Sequence, residues 1–89
     1  VAEVELLVRY FAGAAAAAGT DEEVVQIAVG ATAEDLLAVL AGRHPRLVPV
    51  LEVASLLADE LVVRDRTAAL ATTAGRRLQV DVLPPFAGG

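Results

Sequence analysis

The stretch Gly30-Ala31-Thr32-Ala33-Glu34-Asp35-Leu36-Leu37-Ala38-Val39-Leu40-Ala41-Gly42-Arg43-His44-Pro45 decides the fold. Thr32 is a good helix N-cap, because its hydroxyl can accept from an amide that the helix itself leaves unpaired. Glu34 and Asp35 follow in the first turn, where the helix dipole favours acids. Leu36, Val39 and Leu40, with Ala33 and Leu37, recur at helical spacing and predict one apolar stripe. Pro45 disfavours helical geometry in the residue before it, so the helix ends near Arg43-His44. A helix with a single apolar stripe needs one surface to cover, and the flanking segments supply it as strands.

Upstream, Val1 to Phe11 alternates. Val4, Leu6, Val8 and Tyr10 share one face, and Glu3, Glu5, Leu7 and Arg9 the other. Ala12 to Gly19, with alanine from Ala14 to Ala18, predicts a short helical turn that stops at Gly19. Glu23 to Val29 is a second strand with Val25, Ile27 and Val29 inward, close enough in sequence to the first to pair antiparallel. Downstream, Arg46 to Glu52 adds one short turn. Val53 to Ala58 and Leu61 to Arg64 are short strands around an Asp59-Glu60 turn, with Leu61 and Val63 inward. Arg66 to Gly75 is an irregular loop pinned by Leu70. Leu78 to Leu83 is the last strand, with Leu78, Val80 and Val82 inward, and Pro84-Pro85 stops it because proline cannot donate to a sheet ladder.

The order is strand, strand, helix, strand, strand, strand. It predicts an α+β, β-grasp (ubiquitin-like) fold: a small mixed sheet with one main helix packed on one face and the first and last strands side by side at its centre. Residues 1–83 form the domain and 84–89 a flexible tail.

Composition narrows the function. A chain of 89 residues supports one small domain, too small to enclose a large internal active site. The net charge is −5, with seven arginines and no lysine, so phosphate backbones are repelled and nucleic acid is not expected as a partner. A partner with a basic surface is steered toward it. The absence of cysteine excludes disulfides, thiolate metal ligands and a persulfide carrier. No apolar run approaches the ~18 residues that span a bilayer, and no signal segment opens the chain, so a cytoplasmic address is expected. There is no Gly-rich phosphate loop, so ATP is expected on another protein, and no cofactor or metal is expected here.

The last six residues, Pro84-Pro85-Phe86-Ala87-Gly88-Gly89, carry the chemistry. The prolines stiffen the exit from the sheet, and the tail reaches at most about 20 Å. Gly88 and Gly89 have no side chains, so a narrow tunnel in a partner can admit them, and the terminal carboxylate is unhindered. A carboxylate becomes electrophilic once adenylated. Displacement of the adenylate by sulfide or an enzyme persulfide leaves a thiocarboxylate whose sulfur is soft and nucleophilic. With no thiol in the chain, the terminus is the only sensible place for covalent sulfur.

This tail, with Arg9-Tyr10-Phe11-Ala12 ending the first strand and Val62-Val63-Arg64-Asp65, resembles the molybdopterin synthase small subunits (MoaD) of the MoaD/ThiS sulfur-carrier family. The likeness covers essentially the whole chain. It implies that Gly89 is adenylated by a ubiquitin-activating-type (MoeB-like) enzyme that uses ATP, and is then thiocarboxylated. It implies that Pro84, Pro85, Phe86, Ala87 and Gly88 enter the large (MoaE-like) subunit, where sulfur passes to cyclic pyranopterin monophosphate, and that the active complex is a heterotetramer. The chain would be a non-catalytic subunit of a sulfurtransferase, without a complete active site of its own. Two departures stand out. Asp59-Glu60 replaces the usual Asn-Gly or Asp-Gly, so a longer or strained turn is expected. The loop Ala71 to Arg77 lacks the family's compact Asp-Gly-Asp.

Strand parity also turns Phe11, Val62 and Leu83 outward. Three apolar residues from three strands, at the base of the tail, predict a docking patch, and the family docks its partners through the matching positions. Two other readings stay open: a carrier serving thiamine or cysteine biosynthesis, and a ubiquitin-like modifier that forms an isopeptide bond. Pro-Pro before the tail favours the molybdopterin reading over the other carriers. His44 is expected to cap a helix or face solvent. Glu22-Glu23 and Glu34-Asp35 are expected to be solvated or to answer helix dipoles, and Arg76-Arg77 to lie on a solvated face.

Overall fold

The computed structural model describes residues 2–70 and 77–85. Strand β1 (Glu3–Tyr10) leads through helix α1 (Gly13–Ala18) to β2 (Glu22–Ala28). Helix α2 (Ala33–Arg43), a 3-10 turn (Pro45–Leu47) and helix α3 (Val48–Val53) follow. Strands β3 (Ser55–Ala58), β4 (Leu61–Val62) and β5 (Leu78–Leu83) complete the order. The sheet runs β2-β1-β5-β3-β4. β1 and β5 are parallel at its centre, with Val8 opposite Val80 and Tyr10 opposite Val82. β2, β3 and β4 join antiparallel.

The alternation expected in the strands is the one observed. Val4, Leu6, Val8, Tyr10, Val25, Ile27, Leu56, Val80 and Val82 are buried on one face, under Leu36 and Leu40 of α2. α2 begins where Thr32 predicts. Thr32 Oγ1 accepts from the Asp35 amide at 3.1 Å, and Asp35 Oδ2 accepts from the Thr32 amide at 2.9 Å. Two orphan donors are thereby satisfied reciprocally, a capping box that uses Asp instead of the commoner Glu or Gln. α1 stops at Gly19, whose left-handed φ of 75° lets its amide bond back to Ala15.

Four local expectations change. Val39 is exposed and lies off the stripe, because the buried positions are Ala33, Leu36 and Leu40, three and four residues apart. Val29 is only half-buried, lying past the end of β2. The segment after Pro45 is more than one turn. Leu47 and Leu51 are core residues, and Val53 completes α3, so β3 starts at Ser55. Arg66 holds this arrangement, donating to the carbonyls of Leu51 at 3.2 Å and Ala54 at 2.5 Å, which the helix end leaves free. Lastly, Leu61 is 74% exposed and not inward, because β4 is two residues long and pairs only with β3 at the sheet's edge. Leu70 packs against the core as expected, and residues 71–76 of its loop lie outside the described residues.

The Asp59-Glu60 turn is the strained alternative. It is two residues long, with φ of 45° at Asp59 and 71° at Glu60. This left-handed pair matches the twist of a hairpin but costs a residue with a Cβ roughly 1–2 kcal/mol. Asp59 recovers part of this by accepting from the Gln79 amide at 3.0 Å through Oδ1. Glu60 is exposed. Glu60→Gly is therefore expected to stabilise the domain by about 0.5–1 kcal/mol, read as a rise in Tm of about 2–8 °C. An unchanged or lower Tm would mean that the turn carries no such strain.

Candidate functional site: the root of the tail and the open sheet face

β5 delivers the chain to the tail from the middle of the sheet. The Phe11 amide extends the β1–β5 ladder by donating to the Val82 carbonyl at 3.2 Å. Continuing that register by one residue sets Phe11 beside Leu83, which in turn lies opposite Ser55 of β3. Pro84 is half-buried and Pro85 exposed, so the described chain turns outward after Leu83. Phe86, Ala87, Gly88 and Gly89 lie outside the described residues.

The helices cover one face of the sheet, and the other is open among the described residues. Phe11 is 36% exposed and Val62 55% exposed on that face, and Leu83 is half-buried there. The outward orientation that parity assigns to these three side chains is the observed one. They are not contiguous, however. The ladder puts Val62 opposite Leu57, Leu57 opposite Asp81, Asp81 opposite Arg9, and Arg9 opposite Glu22. Leu57 bridges from Val62 toward the centre, where a charged pair intervenes.

That pair is the part of the site that parity alone does not find. Arg9 grips Asp81 with two bonds, Nε to Oδ1 at 2.9 Å and Nη2 to Oδ2 at 3.3 Å. The Asp81 side chain is 8% exposed and that of Arg9 39%. The Asp81 hydrogen bond pushes the Arg9 pKa further up, so the guanidinium is charged throughout. Its carbon lies 5.2 Å from the centre of the Phe11 ring, within cation–π range. The pair therefore ties β1 to β5 two residues before Leu83 and also props Phe11. Opposite charges at outward positions of two central strands, Arg9 in β1 and Asp81 in β5, are the sequence signal that points to it.

A second polar cluster sits on the helix side. Glu23 accepts from Tyr10 Oη at 2.6 Å and from Arg43 Nη1 at 2.8 Å, and lies 2.5 Å from His44 Nε2. The His44 ring meets Tyr10 edge-on at 6.0 Å. Glu23 is thus neither solvated nor answering a dipole, and His44 does more than end the helix. Burial drives the Tyr10 phenol well above its usual pKa, and the Glu23 carboxylate adds to it. Burial also pushes the Glu23 pKa up, but the bonds from Tyr10, Arg43 and His44 outweigh it and leave the carboxyl below its ordinary value. A depressed carboxylate stabilises the fold above its unfolded pKa, and that contribution is lost as pH falls through the folded value. Stability is therefore expected to decline below about pH 4.5. Urea unfolding at neutral pH and at pH ~3 should show a smaller acid loss for Glu23→Gln than for the parent. Equal losses would remove Glu23 from the account.

Arg77 pairs with Glu5 at 3.0 Å instead of standing free, and Arg76 lies outside the described residues. Among the described residues no three His, Cys, Asp or Glu side chains gather as metal ligands. Among them, too, no helix is long and apolar enough to cross a membrane.

A mixed sheet with parallel first and last strands at its centre, crossed on one face by one main helix, defines a ubiquitin-like β-grasp protein. The structure of SAMP1 from Haloferax volcanii superposes with a TM-score of 0.78 at 26% identity, covering 96% of this chain and 99% of that one. The complex of subunits 1 and 2 of molybdopterin-converting factor from Helicobacter pylori contains a chain of the same fold, with a TM-score of 0.64 at 20% identity over 98% and 99% of the two chains. Within that class the chain belongs to the ThiS family, whose model matches residues 8–89. The molybdopterin synthase sulfur carrier subunit of Chlamydomonas reinhardtii is 29% identical over 86 residues, which cover 97% of this chain and 100% of that protein.

Proposed function

We propose that this chain is the sulfur-carrying small subunit of a molybdopterin-synthase-type enzyme, with the sulfur held as a thiocarboxylate on Gly89. The observation that carries the reading is a family match that runs through the terminal Gly88-Gly89, on a tail rooted in the central strand. The likeness to the algal sulfur carrier subunit supports the molybdopterin branch. A carboxylate oxygen of Gly89 attacks the α-phosphorus of ATP and pyrophosphate leaves. The terminal sulfur of a persulfide then attacks the carbonyl carbon and AMP departs. A second thiol cleaves the remaining S–S bond, leaving the thiocarboxylate and a disulfide. The sulfur is passed to cyclic pyranopterin monophosphate inside a MoaE-like large subunit, which provides the acid–base groups. A MoeB-like enzyme binds the ATP.

The open face supports a docking role for Phe11, Val62 and Leu83, with Leu57 and the Arg9–Asp81 pair among them. Each partner would use this face in turn while Pro84 to Gly88 thread into it. Phe11→Arg places a second cation beside Arg9 on an exposed position. It is expected to weaken binding to the large subunit by about tenfold or more, read by calorimetry. The Tm should move by less than about 4 °C, because little buried area changes. A large fall in Tm would return Phe11 to the core.

The decisive experiment is intact mass after incubation with ATP, the activating enzyme and a sulfur donor. One oxygen of Gly89 should be replaced by one sulfur. The likeness to SAMP1, whose full name in a solved Methanosarcina acetivorans relative is small archaeal modifier protein 1, favours one second reading, a protein modifier. In that case the terminus would be found joined to lysine side chains of other proteins, with no sulfur-loaded form.

A further inference from the structure

We infer that no side chain of this protein accepts its own activated terminus, so that copies of the chain are not joined to one another through a side chain. The inference rests on the reading of Gly89 as an activated terminus. Self-joining needs a nucleophile. An amine nitrogen attacks the Gly89 carbonyl carbon, a C–N bond forms, the bond to the leaving group breaks with its electron pair, and the amine gives up a proton. No side chain supplies that amine, because the chain has no lysine, and none supplies a competing thiolate, because it has no cysteine; the amine that remains is the α-amino group. Its basic side chains are all arginine apart from one histidine, and a guanidinium stays protonated and is not nucleophilic near neutral pH.

Among the described residues, the structure engages the nucleophilic side chains of Tyr10, His44, Thr20 and Thr67 in hydrogen bonds. Tyr10 is the only tyrosine and His44 the only histidine. Both turn toward the same carboxylate, Glu23, through Tyr10 Oη at 2.6 Å and His44 Nε2 at 2.5 Å. Tyr10 is also 3% exposed and stays a neutral phenol. Hydroxyls are weak nucleophiles without an adjacent base. Thr20 donates to a backbone carbonyl, and Thr67 to Asp65, whose carboxyl those bonds hold below its usual range, making it a poor base. The use of arginine alone thus keeps positive charge available for ion pairs such as Arg9–Asp81 and Arg43–Glu23 without placing an acceptor amine beside an electrophile.

The test installs a thioester on Gly89 chemically, by thiol release from a self-cleaving fusion, so that no activating enzyme is involved. The full chain, its α-amino group blocked by enzymatic N-terminal acetylation in parent and variants alike, is held concentrated at mildly alkaline pH and followed by denaturing gel and intact mass. Thioester and its hydrolysis product should be the only species. Gln26→Lys, exposed on β2, and Glu52→Lys, exposed on α3, should each form covalent dimers and higher multimers. The inference is overturned by multimers of the parent at the level of the lysine variants. Acyl groups mapped to Tyr10, His44 or a hydroxyl of the parent overturn it as well, as does the absence of multimers from both lysine variants. Failure of enzymatic sulfur loading, with this result intact, would count against the carrier reading alone.

Discussion

Deleting Gly89 is expected to abolish sulfur loading altogether while leaving the domain folded. The terminus would then be Gly88, one residue short, and a fully extended residue spans about 3.3–3.6 Å. Chemistry at a carbonyl requires reacting atoms within about 3–3.5 Å of one another, so a shortfall of that size removes the electrophile from the reach of a fixed catalytic site. The described part of the domain ends its ladder at Leu83 and Pro85 is already exposed, and the core residues all lie between Val4 and Val82, so the domain is expected to fold without the last residue. Thermal unfolding should match the parent within about 2 °C. Mass spectrometry should show no sulfur-containing form. A shortened chain that loads sulfur at the parent rate would refute the assignment of the terminus, and one that fails to fold would mean that the tail belongs to the core.

The complementary result concerns the helix. Leu36→Ala is expected to cost about 2–5 kcal/mol, because Leu36 is fully buried where α2 crosses the sheet and the neighbouring side chains relax only partly into the space. A domain of 89 residues has roughly 4–13 kcal/mol to lose. At about 4–8 °C per kcal/mol, Tm should fall by on the order of 10–40 °C, read by circular dichroism. A shift of only a degree or two would show that α2 is not seated where the core requires it. The two substitutions separate the roles of the chain: one removes the chemistry and spares the fold, the other does the reverse.

Much of this is legible in the sequence. Alternation at Val4, Leu6, Val8 and Tyr10 and at Val80 and Val82 assigns faces to both central strands, because side chains on a strand alternate strictly. The same rule turns Phe11, Val62 and Leu83 outward. It misplaced Leu61, since alternation says nothing about where a sheet ends: the two-residue β4 has no further neighbour to bury it. The extent of α3 also differs from the single short turn expected after Pro45: Pro45, which stops α2, and Pro49 both stand in first turns that need no donor.

The local chain alone determined the elements, their faces, the Thr32 start and Gly19 stop, and the chemistry open to a terminal Gly-Gly after Pro-Pro. Those properties depend on near neighbours in sequence and on which functional groups are present. Only tertiary structure decided that Arg9 clamps Asp81, 72 residues away, and that Tyr10, Arg43 and His44 converge on Glu23. Such contacts follow from the β1–β5 register and from where the end of α2 comes to rest, and no local periodicity encodes either.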